Sequence, residues 1–101
     1  MRDGGNLFVG IARIELHIPE ARSLKDRRRA VRPLVDRLKS RFRVLVIETG
    51  HADLHQRASL AICAASTKST DLEARLQRVH TWVEENWPGV ILEWKTDTVL
   101  L

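Results

Sequence analysis

The chain has 101 residues, enough for one domain with one core, and 17 lysines and arginines against 13 acids give a net charge of +4. No apolar run approaches the roughly 20 residues of a membrane span, and a lone Cys63 excludes an internal disulfide. The opening residues lack a signal peptide's order of charged, apolar and small residues, so a cytoplasmic protein is expected. The basic balance makes an acidic partner plausible, with nucleic acid the first to consider.

In chain order, residues 1–6 read as a frayed, glycine-containing start to a single domain over 1–101. From Leu7 to Ile18 the residues alternate. Gly10, Ala12, Ile14, Leu16 and Ile18 fall on one face, with Val9, Ile11, Arg13, Glu15 and His17 on the other, which predicts a strand. Pro19 ends it. Ser23 followed by Asp26 is an acidic variant of the capping box and starts a helix. Leu24, Val31, Leu34, Val35, Leu38 and Phe42 make its apolar seam. Pro33 falls inside that pattern, so a kink near Arg29–Pro33 or a break into two helices is expected.

A second strand is predicted over Phe42–Thr49, then a loop from Gly50 to Gln56. A third strand follows over Arg57–Ala65, paired with the second as an antiparallel hairpin. Cys63 reads as a small buried hydrophobe in that strand. Thr70-x-x-Glu73 predicts a capping box at the start of a second helix. Its seam holds Leu72, Leu76, Val79 and Val83, with Trp82 beside them, and Trp87-Pro88-Gly89 ends it. A last strand over Val90–Leu101 places Leu92, Trp94 and Leu100 on its apolar face. The order β-α-β-β-α-β predicts an α+β, ferredoxin-like fold: a four-stranded antiparallel sheet with two helices on one face. The second face then carries Val9, Ile11, Leu45 and Ile47 uncovered. A homodimer through the open sheet face or an edge strand is the expected consequence.

The segments VGIARIELHIPEARSLKDRRR, LVDRLKSRF and GHADLHQRASL resemble the YlxP-like family of small bacterial proteins, carried as a domain of unknown function. The most specific pieces lie at Glu15–Lys25 and Gly50–Ala58, and the resemblance loosens over the second helix and last strand. His55 departs from the aromatic residue usual in the family. The resemblance implies the same ferredoxin-like fold. It brings no catalytic residues. The company its genes keep, among those for transcription and translation factors, implies a ribosome- or RNA-associated role.

The residues themselves point the same way. Arg22 to Arg43 holds ten basic and two acidic residues, a net of +8, whereas the rest of the chain holds seven and eleven, a net of −4. Lys25, Arg28, Arg29, Arg32 and Lys39 project within about 100° of one another, away from the apolar seam. They are the candidate nucleic-acid-binding residues, as phosphate contacts. Arg27 projects into the seam and should pair with Glu48 or Glu15. His51, Asp53 and His55 alternate in a loop and could ligate a metal, but their spacing is no zinc signature; a structural role is the plainer reading.

An acylphosphatase-like active site would need an asparagine on a strand. Only Asn6 and Asn86 are present, and neither falls on a central strand. The predicted open face offers only His17 for stacking a base. The expectation is therefore a non-enzymatic protein with no metal or cofactor, bound to structured RNA or the ribosome through its first helix. The alternative is a homodimeric adaptor docking an acidic protein, with no direct nucleic-acid contact. Nuclease treatment of captured material separates the two.

Overall fold

The computed structural model describes residues 5–50 and 54–101. Its elements are β1 (Phe8–His17), α1 (Leu24–Phe42), β2 (Leu45–Glu48), β3 (Arg57–Ser66), α2 (Ser69–Asn86) and β4 (Val90–Leu100). The strands form one antiparallel sheet in the order β2-β3-β1-β4, and both helices cover the same face, the ferredoxin-like α+β arrangement. Of the expected frayed start, residues 1–4 lie outside the described residues; Gly5 and Asn6 are exposed and precede the sheet.

Period-two alternation decides what enters the core. Ala12, Ile14 and Leu16 of β1 and Ala58, Leu60 and Ile62 of β3 are fully buried beneath the helices. Val31, Leu34 and Leu38 of α1 and Leu72, Leu76, Val79 and Val83 of α2 close the layer from above. Each such large side chain contributes about 2 kcal/mol by leaving water. Small residues in β3, and Gly10 of β1 beneath Leu72 and Leu76, let the helices sit close to the sheet.

The start of α1 follows its sequence. Ser23 Oγ accepts from Asp26 N–H at 3.1 Å, and the Asp26 carboxylate reaches back to Arg22 N–H at 3.0 Å, one residue beyond the usual box. The helix then runs through Pro33 without a break, so the second helix considered above does not form. Val31, Leu34 and Leu38 anchor both halves to the same sheet. Pro33 itself is exposed, so the Arg29 carbonyl that loses its helical donor faces water rather than the core. Replacing Pro33 by Ala restores that bond. Intrinsic propensity favours the change by about 3 kcal/mol, and the freer unfolded chain returns up to about 1. A gain of about 2 kcal/mol is expected, read as a higher Tm in thermal unfolding.

Arg43 ends α1 in the left-handed conformation (φ 53°), which turns the chain sharply into β2. Three local expectations need correction. The Thr70–Glu73 capping box does not form: α2 starts at Ser69 with Lys68 as N-cap and no side-chain cap, and Thr70 already lies in the first turn. Asp71 pairs instead with Arg75 one turn on, at 3.2 Å. Cys63 is half-buried, not buried, because it lies on the open face between Ile11 and Leu45.

The third correction is in β4. Glu93 lies opposite Glu15, but the next β1 residue, Leu16, pairs with Ile91, so Leu92 is the extra residue of a β-bulge. Ile91 and Trp94 therefore pack on the core, while Leu92 is 48% exposed rather than sharing a face with Trp94.

Candidate nucleic-acid interface

Helical geometry sorts the basic segment into two groups. Arg27 points inward with Val31, Leu34 and Leu38; it is 7% exposed, and its guanidinium donates to Glu48 of β2 at 3.0 Å. This pair ties the first turns of α1 to the outer strand. Glu15, the other expected partner of Arg27, accepts from Ser59 Oγ at 2.6 Å and pairs with Arg57 at 3.4 Å. With Thr49 Oγ1 donating to Ser59 Oγ at 3.1 Å, this network buries Ser59 although it lies on the open face.

Lys25, Arg28, Arg29, Arg32 and Lys39 are all exposed. Among the described residues none of them lies within 4 Å of a carboxylate. Asp26 is engaged with the helix start and cannot neutralise them. Four of the five, Lys25, Arg28, Arg29 and Arg32, line a shallow hollow of about 420 Å³ together with Pro33; Lys39 lies farther along the helix. Arginine suits such a place, because its planar fork can hold two phosphate oxygens at once.

The cationic surface extends beyond the expected set. Arg29, Pro33, Arg37 and Arg41 follow one another at i, i+4 along α1, so they form a ridge leading toward α2. There the antiparallel packing of α1 and α2 brings Arg37 and Arg41 to Trp82, which borders hollows of about 260 and 320 Å³ on the helix seam. Arg78 lines the first hollow. The Trp82 ring meets Phe42 edge-on at 5.9 Å, and the Arg41 guanidinium lies 5.9 Å from the Phe42 ring.

The open sheet face has a different character. Leu45, Cys63 and Ile11 line up across β2, β3 and β1, and Ile47, Ala61 and Arg13 form the next row. Ile11, Leu45 and Ile47 are 42–59% exposed. No aromatic residue stands on this face of β1 or β3 apart from the imidazole of His17, so it offers no base-stacking platform. His51 and Asp53 lie outside the described residues, and His55 is exposed. Among the described residues no three histidine, cysteine or acidic side chains cluster as metal ligands would. No helix among them is long and apolar enough to cross a membrane.

Comparison with known proteins fits this geometry to a family. The family model described as "Protein of unknown function (DUF503)" matches residues 9–96. The uncharacterized protein YlxP of Bacillus subtilis (strain 168) is 34% identical over 77 residues, covering 76% of this chain and 84% of the relative. Among solved structures, the de novo designed protein Foldit4 superposes with a TM-score of 0.55 at 14% identity, covering 93% of this chain and 96% of the design. That likeness concerns the fold alone. A Nitrosomonas europaea protein named as a candidate antibiotic biosynthesis monooxygenase covers 100% of this chain and 93% of its own. Its TM-score of 0.43 and 16% identity are too low to bear on activity. The chain belongs to the DUF503 family.

Proposed function

We propose that this member of the DUF503 family is a non-enzymatic, RNA- or ribosome-associated protein that grips phosphates with the exposed face of α1. The observation that carries the reading is the unneutralised hollow of Lys25, Arg28, Arg29 and Arg32, with Lys39 farther along the same helix. Asp36 alone interrupts this stripe, one turn from Arg32 and Lys39, so the stripe is self-repelling over most of its length, and a polyanion relieves that repulsion. The α1 surface is built from long flexible cations, which favours backbone and shape over base edges. The ridge through Arg37 and Arg41 continues the cationic surface to Trp82, where an unpaired base has a ring to lie against.

The test is equilibrium binding of a structured RNA as salt is raised. Five phosphate contacts give a log–log slope of about −4, a loss of roughly two-hundred-fold in affinity between about 50 and 200 mM salt. A flat salt response overturns the reading. Capture from cells adds the discriminating control. Partners released by nuclease support RNA, whereas partners retained after nuclease favour an acidic protein docked on the same stripe.

A further inference from the structure

The two edges of the sheet are unlike. β2 is four residues long and offers little backbone for pairing. β4 is eleven residues long, contains no proline and ends the strand order, so among the described residues one side of its backbone faces no other strand. Long open edges of this kind are templates for a further strand, and proteins commonly shorten, charge or cover them. The far end of β4 is also apolar: Val99, Leu100 and Leu101 are 46%, 53% and 77% exposed.

We propose that β4 pairs antiparallel with β4 of a second copy of this chain, about a two-fold axis at Thr96. An axis perpendicular to the sheet keeps both helix layers on one side, so paired residues must come from the same face, and the axis must pass through a residue. Charge and the Leu92 bulge together select which residue. With the axis at Thr96, Lys95 faces the partner's Asp97 and Asp97 faces the partner's Lys95, giving two opposite-charge pairs in the middle of the ladder. Trp94 faces the partner's Thr98 and Glu93 the partner's Val99, and the regular ladder ends at the Leu92 bulge. An axis at Lys95 sets lysine on lysine and Glu93 on the partner's Asp97. An axis at Asp97 sets aspartate on aspartate. An axis at Trp94 also sets Lys95 opposite the partner's Glu93, but it brings the Leu92 bulge within two residues of the centre and leaves the apolar end of β4 outside the ladder.

In the single chain Lys95 lies 3.0 Å from Glu93 of its own strand, and Asp97 Oδ1 accepts from Thr98 N–H at 2.9 Å. Both are short-range surface contacts that cross-strand partners can replace. The inference is independent of the phosphate reading, although the same axis would place both α1 helices on one side of an eight-stranded sheet.

Sedimentation equilibrium of the full chain tests it. The wild type is expected as a dimer. Lys95→Glu and Asp97→Lys are each expected to shift it to monomer, because each sets like charges opposite one another on both sides of the axis. The double variant Lys95→Asp/Asp97→Lys restores opposite pairs and is expected to recover the dimer. Folding is not at risk at the first position: Lys95 lies opposite Arg13 of β1, so an acid there removes a like-charge pair within the chain.

Register is tested on a Cys63→Ala background. Thr96→Cys should crosslink across the axis, where paired Cα atoms stand roughly 5 Å apart. Thr98→Cys should not, because its two copies would stand roughly 14 Å apart along the strands. A monomeric wild type, single variants that dimerise like the wild type, a double variant that stays monomeric, or equal crosslinking at Thr98 would each overturn the proposal.

Discussion

Reversing three charges, Arg28→Glu, Arg29→Glu and Arg32→Glu, is expected to lower affinity for structured RNA about a thousand-fold at moderate salt. The three side chains share one hollow and are exposed, so each contact is charge-assisted but screened. A hydrogen bond to a charged group contributes roughly 1.5–3 kcal/mol when sheltered, and screening brings an exposed one nearer 1. Losing three attractive contacts and adding three repulsive ones comes to about 4 kcal/mol, which is about 10³ in affinity. The net charge of Arg22–Arg43 falls from +8 to +2, so the salt slope should shrink as well. The fold should survive, because none of the three touches the core, and glutamate is as good a helix former as arginine. Binding and thermal unfolding measured on the same preparation separate the two effects. Affinity within threefold of wild type would remove α1 as the interface.

Much of this architecture is legible because the chain repeats its message at several levels. Alternation in β1 and β3, the seam of α1 from Val31 to Phe42 and the W-P-G stop all point to one fold, and each holds; Leu24, expected in that seam, is instead exposed at the first turn of α1. Arg27 was readable as an inward, acid-paired residue because its helical angle differs from those of its basic neighbours. What was not legible depends on partners distant in the chain. The bulge at Leu92 exists because β4 must match β1 in register, and nothing in VILEWKTDTVL announces it. Alternation alone puts Leu92 beside Trp94; the register separates them. Ser59 is buried because Glu15 of β1 and Thr49, just past β2, converge on it, with Arg57 of its own strand held on Glu15. Arg37, Arg41, Arg78 and Trp82 meet only once α1 and α2 pack antiparallel, so their shared cleft could not be read along either helix. A trace of it was present: Arg37 and Arg41 continue the i, i+4 ridge of Arg29, and Arg78 stands four residues before Trp82.

Among the described glycines, Gly89→Ala should have the largest effect on stability of any single added methyl. A Cβ at that position would overlap the backbone carbonyl oxygen of His17 and stand 2.8 Å from Trp87 Nε1. The first neighbour is backbone at the end of β1, so it cannot swing aside like a flexible side chain. It also has a second role. The His17 carbonyl accepts from Trp87 Nε1 at 3.3 Å, and Trp87, 6% exposed, closes the core where α2 ends. Relieving the clash must therefore move the turn, loosen this bond and shift the start of β4. Overpacking of this kind costs about 1–3 kcal/mol, and partial loss of the indole hydrogen bond adds up to about 1. In a domain of about 100 residues a total near 3 kcal/mol lowers Tm by about 15 °C.

Gly50→Ala is the informative contrast. Gly50 has φ +72° with nothing among the described residues within 4 Å of an added Cβ, so its cost is the left-handed conformation, about 1 kcal/mol. Thermal melts of the two variants should thus differ by roughly threefold in their displacement from wild type. Equal displacements would mean that the turn at Gly89 gives way freely, and that the contact between the end of β1 and the W-P-G turn is not what fixes the entry of β4 into the sheet.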